Sequence, residues 1–473
     1  MRPLLWINAV GLSQAQIGPR TPRLAELAAR GSAAPMGSIL PAVTCSAQAT
    51  LLTGLTPAEH GIVGNGWYWP DLGEVFFWRQ PSHLVRGEKV YEAAKRRESS
   101  FTCAKLFWWW NMGAAVDWSI TPRPFYPSDG RKIPAVYGWP KSYPGELEAE
   151  LGKFPFFDFW GPKSGLPSSR WLTDATKRTL TEQQPDLTMV YLPHLDYDHQ
   201  RFGPESPEGL RALEDLDVLI GELIDAADAA GAATLIVSEY ALDAVRSPIA
   251  LNRELRRAGL LEVRDTPGGE VLDPFGSRAF AVADHQLAHI YAKDEAARSA
   301  AREVLEATGG VAAILEGDSR REAGLDHPNA GDLIALSNRD RWFSYYYWLD
   351  DAKAPDFAPT VDIHRKPGYD PAELFVDPNL KIPALRVARR LAQKKLGMRY
   401  LMDVIPLHGD QIRGSHGLAP STPERGPIFL CSEPWSSCGG EPDDGVLPIT
   451  SVKDRVLRLL QIGNTVPEQK APL

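Results

Sequence analysis

"PLLWINAVG", residues 3–11, followed by "TPRLAELAARG", residues 21–31, sets the grammar of this chain. The first run is apolar without alternation and stops at Gly11, the pattern of a strand buried on both faces. In the second, Leu24, Leu27 and Ala28 recur at helical spacing before Gly31 closes the segment. Strand or helix signals of the same kind return at "LTMVYLPHLD" (187–196), "LRALEDLDVLIGELIDAADAAG" (210–231), "ATLIVSEY" (233–240), "GPIFLCSEP" (426–434) and "SVKDRVLRLLQIG" (451–463). Strands alternating with amphipathic helices predict an α/β fold, a mainly parallel sheet sandwiched by helices. Such sheets collect functional groups at the carboxyl ends of their strands. Those ends offer Asn8, Asp196 and Glu239, with His416 in a late Gly-Ser-His loop.

Two regions break the alternation. Residues 102–171 hold "FWWWNMG" and "TPRPFYPSDGRKIP", and a second irregular stretch begins "WFSYYYWLDDAK" at Trp342. The expected organisation is one catalytic domain over 1–473, with an inserted cap segment at 102–171 and a second insertion at 342–400 near the active site.

Composition narrows the function. The chain has 473 residues, 44% of them apolar, and a formal net charge of −9 spread along its length. That balance suits an enzyme-sized globular protein and gives no basic footprint for a nucleic-acid polymer or a membrane. The first residues lack the long apolar run of a secretory signal, so a cytoplasmic location is expected, with reduced thiols at Cys45, Cys103, Cys431 and Cys438. A homodimer is compatible with these features.

The chemistry concentrates in "TCSAQATLLTGLTPAEHGIVGN", Thr44 to Asn65. Thr44 lies nine positions before the Thr of Leu-Thr-Gly. This stretch resembles the alkaline phosphatase superfamily, and "LLTGLTPAEHGIVGN" resembles its nucleotide pyrophosphatase/phosphodiesterase branch (type I phosphodiesterases). The resemblance implies that Thr44 is the nucleophile, with Cys45 and Ser46 as neighbours. A sulfatase is disfavoured, because residue 44 is neither Cys nor Ser and Gln48 replaces the usual Arg. A Thr hydroxyl is a weak nucleophile until its proton is withdrawn, which a divalent metal achieves.

The resemblance further implies two divalent ions, manganese, zinc or magnesium. One set would be Asp196, the position four residues on (Gln200, with His199 one residue early) and His416 of "GSHG". The other would be the first strand, Thr44 and the "SEYA" strand end, which here supply Asn8, Glu239 and Tyr240 where acidic residues and His are usual; Val10 stands just before Gly11 where many relatives have Asp. His364, Asp370 or Asp198 would complete the sets, oxygen donors being suited to manganese and magnesium. For substrate contacts the sequence offers Asn65, Trp109, Asn111, Arg365 and Lys366, the aromatic rings as stacking partners and "IHRKPGYDP" as either a solvated loop or a phosphate clamp. His285 and His289 read as core or supporting residues on a strand. The function implied is metal-dependent hydrolysis of a phosphodiester or pyrophosphate bond in a small nucleotide, linear or cyclic, through a phosphothreonyl intermediate. The alternatives are a phosphonate hydrolase and a non-catalytic binding protein with a degraded metal site.

Overall fold

The computed structural model describes residues 1–128, 132–398 and 400–462. Its centre is an eight-stranded sheet in the order Ser32–Pro35, Ile428–Cys431, Ala233–Val237, Leu4–Ala9, Leu187–Leu192, Cys103–Leu106, Trp118–Pro122, Val136–Trp139. The five strands from Ala233–Val237 to Trp118–Pro122 run parallel, and antiparallel strands finish both edges. Leu4–Ala9 and its two neighbours are buried at every residue, which is why their sequences run apolar rather than alternate.

Helices flank this sheet. Pro207–Ala229 begins at Ser206, whose Oγ accepts from the Gly209 N–H at 2.9 Å, and buries Leu213, Leu216, Ile220, Leu223 and Ala227 along one face. It packs on Leu166–Glu182, and the short terminal helix Val452–Leu459 packs on Thr44–Thr53. Trp6 and Trp108 meet at 4.7 Å between ring centroids in the core beneath the sheet's carboxyl edge.

Two findings differ from the sequence reading. Residues 102–171 are more than an inserted segment, because they contribute three strands to the central sheet, short ones whose four or five residues are masked by the surrounding Trp and Pro. A second, four-stranded antiparallel sheet, Ala279–Asp284, Leu287–Ala292, Leu333–Ser337 and Val311–Leu315 in spatial order, stands apart in the later half of the chain. Its first hairpin turns at His285 and Gln286, and His285 takes φ +60°, a left-handed conformation that costs energy for any residue but glycine.

Lys105 is fully buried in the strand Cys103–Leu106, with its Nζ donating to the Trp110 carbonyl at 2.8 Å. Burial lowers its pKa from 10.5 to about 7. Between those two values the unfolded chain binds the extra proton, so stability is lowest below pH 7 and rises as the pH climbs from 7 towards 10. Lys105→Met is therefore expected to raise the denaturation midpoint more at pH 6 than at pH 9. An equal change at both pH values would show that the buried charge carries no penalty.

Candidate active site

The strand register brings the site together. Asn8 lies opposite Tyr191 on one neighbouring strand and Val237 on the other, so Asn8, Glu239 and the Asp196 turn emerge side by side at one edge of the sheet. The helix Thr44–Thr53 starts at Thr44 and ends at Gly54 in the left-handed conformation (φ +73°). Much of the following motif is structural: Thr56 and Glu59 form a capping box, with the Thr56 N–H donating to Glu59 at 2.8 Å. His60 links the two helices through Thr50 at 3.0 Å and accepts from the Ile62 N–H.

Thr44 is buried, and its Oγ1 lies 3.1 Å from the Tyr240 hydroxyl. Glu239 is fully buried beside it. Its Oε1 accepts from the Asn8 side-chain amide and from the Gln48 amide, each at 2.6 Å, while Oε2 has no hydrogen-bond partner. Burial pushes Glu239 up to about 8, against the pull of Gln48, Asn8 and Thr44. Gln48 is itself fixed by the Trp109 backbone N–H, which donates to its Oε1 at 2.6 Å. Burial also raises Asp196, to about 7, although the Gln200 amide donates to its Oδ2 at 2.8 Å. Gln200 in turn accepts from the Tyr369 hydroxyl at 2.8 Å.

Four rings connect these groups. Tyr240 stacks on His416 at 3.5 Å, His416 meets His285 at 3.7 Å, and His285 stacks on Tyr369 at 3.6 Å. Each imidazole is oriented through Nδ1, His416 towards the Ala42 carbonyl at 2.7 Å and His285 towards Asp284 at 2.8 Å. Burial holds both well below the usual histidine pKa. Asp284 also accepts from the Asn65 N–H and side-chain amide, and the Asn65 Oδ1 accepts from the Cys45 N–H at 3.0 Å. A closed circuit thus runs from the turn at Thr44 and Cys45 through Asn65, Asp284 and the ring stack back to Thr44. Cys45, by contrast, is a buried thiol with its pKa raised by desolvation, and Ser46 Oγ has no partner.

The structure therefore brings together Thr44, Asn8, Glu239, Tyr240, Asp196, Gln200, His416 and Asn65. Others depart from expectation. His199 lies beneath Gly209 of the following helix, with its ring 3.1 Å from where a Cβ there would stand. His364 packs on Tyr126 at 6.1 Å, with burial and nearby Lys132 and Arg123 lowering it to about 4. Asn111 donates to three backbone carbonyls, those of Lys105, Trp108 and Ile120, and so braces its own turn. Trp109 is nearly buried and acts through its backbone on Gln48, its indole N–H donating to the Arg79 carbonyl. Lys366 forms a buried ion cluster with Asp370 at 2.7 Å and Glu373 at 2.8 Å, while Arg365 is exposed beside Asp362. Neither Lys366 nor Asp370 is free for phosphate or metal. His289 is a core residue, bonded to Val63 and Gly331. Sequence reasoning missed Tyr369, Asp284 and the site role of His285; the Asp-His pair was visible, but not the turn that aims it.

A site for two divalent ions is not assembled by these donors. Asn, Gln and a neutral Tyr occupy positions where the resemblance implies Asp or His, Glu239 Oε1 is already saturated by two amide donors, and Val10 is buried among apolar residues. Among the described residues no three His, Cys, Asp or Glu side chains stand together as a metal-holding group. Asp196 Oδ1, Glu239 Oε2, His416 Nε2, Asn8 Oδ1 and His285 Nε2 are buried donor atoms of the site without a hydrogen-bond partner.

Residues 4–370 match the family model described as type I phosphodiesterase / nucleotide pyrophosphatase. Over 211 residues the chain is 28% identical to an uncharacterized pyrophosphatase/phosphodiesterase of Schizosaccharomyces pombe, a match that covers 43% of this chain and 36% of that protein. The fold is similar to phosphonoacetate hydrolase of Sinorhizobium meliloti 1021 in complex with phosphonoformate, with TM-score 0.60 at 16% identity over 98% of this chain and 96% of that one. It is also similar to murine ectonucleotide pyrophosphatase / phosphodiesterase 5 in complex with AMP, with TM-score 0.57 at 13% identity and the same coverage.

Two measurements test these assignments. Lys366→Ala strands two buried carboxylates, so it is expected to lower stability by about 3–5 kcal/mol, whereas Arg365→Ala at the exposed neighbour costs less than about 1 kcal/mol; equal effects in chemical denaturation would return Lys366 to the role of a clamp. After loading with manganese and dialysis, the native chain is expected to retain less metal than the variant carrying Asn8→Asp, Gln200→His, Glu239→Asp and Tyr240→His. Two ions held by the native chain would refute the reading of its donors.

Proposed function

The chain belongs to the type I phosphodiesterase / nucleotide pyrophosphatase family, and on that premise we propose that it hydrolyses a phosphodiester or pyrophosphate bond of a small nucleotide, linear or cyclic, by attack of Thr44. The observation that carries this reading is the placement of the Thr44 hydroxyl between Tyr240 and Glu239 at the start of a ten-residue helix. In the proposed step a bond forms from Thr44 Oγ1 to phosphorus, the bond to the leaving oxygen breaks, and the Thr44 proton passes to Glu239, whose ionised form predominates only above about pH 8. The leaving oxygen takes its proton from water, a second water then hydrolyses the phosphoryl ester on Thr44, which still carries the other half of the substrate, and the proton on Glu239 neutralises the hydroxide left by the first water. The helix N-terminus favours the negative charge of the phosphoryl oxygens, and Tyr240 offers a hydroxyl donor beside them. The two insertions, 102–171 and 342–400, cap the site in this reading.

A diester suits these surroundings better than a monoester. Tyr240, Gln200, Asn8 and Gln48 are the groups bonded to Thr44, Asp196 and Glu239, so neutral donors rather than Lys or Arg face the substrate. A dianionic monoester would meet two buried carboxyls without a counter-charge, whereas a diester brings a single negative charge.

Thr44→Ala is expected to reduce kcat on bis(p-nitrophenyl) phosphate by at least a thousandfold with an unchanged thermal midpoint, while Cys45→Ala and Ser46→Ala each cost less than about tenfold. Thr44→Ser keeps part of the rate, and acid quenching of the native enzyme during turnover traps a p-nitrophenyl phosphoryl group on Thr44. Full activity in Thr44→Ala, or faster turnover of p-nitrophenyl phosphate or phosphonoacetate than of the diester under matched conditions, would overturn the assignment.

A further inference from the structure

The helix Pro383–Lys395 is turned inside out for a surface helix in water. Its packed side carries charge: Arg386 and Arg390 both pair with Asp403 and flank Val387, which rests against Val361, Val404 and Ile405. Its outer side carries leucines, with Leu385 62% and Leu396 76% exposed, on a stripe that includes the exposed Ala388 and Ala392. A helix in contact with water arranges these two classes the other way round.

The exposed apolar surface extends beyond this helix. Thirteen of the eighteen large apolar side chains that stand exposed among the described residues fall within 102–171 or 342–400, so they are concentrated in the two insertions rather than scattered. The insertions touch each other. Tyr126 packs on His364, and Val361, in the same cluster as Val387, lies against the backbone at Gly161, four residues beyond the exposed Phe157.

Charge decides what covers this face. Residues 381–399 contain seven Lys and Arg and no Asp or Glu, in a chain whose net charge is −9. Lys381, Arg389 and Lys395 are exposed beside the leucines. A second copy of the chain seated on this helix about a two-fold axis would bring these cations against themselves. An anionic bilayer supplies both halves of what the face offers, acyl chains for the leucines and aromatic rings and headgroup charge for the cations. We propose that the helix Pro383–Lys395, with the neighbouring exposed side chains of the 102–171 segment, is a peripheral docking face for an anionic lipid bilayer. The contact is interfacial, since among the described residues no helix is long and apolar enough to cross a membrane.

The test is co-sedimentation of the full chain with large unilamellar vesicles of phosphatidylcholine alone or with a quarter phosphatidylglycerol. The native protein is expected to bind the anionic vesicles at least tenfold more tightly than the neutral ones, and to release in 0.5 M salt. Leu385→Glu with Leu396→Glu is expected to reduce binding at least tenfold. Its thermal midpoint and its rate on soluble bis(p-nitrophenyl) phosphate should stay unchanged, because both side chains stand exposed to solvent and neither belongs to the site around Thr44. Native protein left in the supernatant with anionic vesicles, or a double variant that binds as the native chain does, overturns the proposal. So does sedimentation velocity showing a native dimer that the double variant dissolves, which would make the face a contact between copies.

Discussion

A carboxyl group buried at the meeting point of three structural elements constrains everything around it. Glu239 leaves the end of the strand Ala233–Val237, and its Oε1 is held by an amide from the first strand and another from the helix Thr44–Thr53. Burying a carboxyl without a cation nearby is costly, and two short hydrogen bonds from neutral amides offset part of that cost. They also fix where Thr44 stands, because Gln48 lies one helical turn beyond Thr44 and is itself pinned by the Trp109 backbone. Trp109 thus positions the helix Thr44–Thr53 through its backbone, without offering its side chain to the site. Lys105 and Trp110 extend the same support, since the Trp110 indole N–H donates to the Cys45 carbonyl.

The ring stack plays the complementary part. Tyr369, His285, His416 and Tyr240 come from four widely separated stretches of sequence, and the left-handed turn at His285 is what inserts its imidazole between the others. A strained residue at such a junction persists because its surroundings over-determine it: Asp284 holds its Nδ1, and rings pack on both sides. Gln200 and Tyr240 stand where the resemblance implies histidines, and Gln200 joins Asp196 to Tyr369 while Tyr240 stacks on His416.

What the sequence revealed follows from what is local. Strands such as Leu4–Ala9 and helices such as Pro207–Ala229 announce themselves through apolar spacing, and the Thr44–Asn65 motif is contiguous, so the sheet and the turn at Thr44 were readable. The short strands of 103–139 were not, because four residues rich in Trp, Gly or Pro give no period. Site residues near strand ends were readable one at a time, yet their partners were not. Lys366 looked like a phosphate clamp until Asp370 and Glu373 closed on it, and Asn111 looked like a contact until three backbone carbonyls claimed it.

The same distinction separates whole-chain composition from surface. A net charge of −9 averages over a segment, 381–399, that is wholly cationic, and helical periodicity gives the angle between leucines and arginines without saying which set faces inward. Asp403 decides it, by drawing Arg386 and Arg390 to the body of the protein. Once those arginines point inward, Leu385 and Leu396 have no place left but solvent, so an ion pair on one side of the helix creates the apolar stripe on the other.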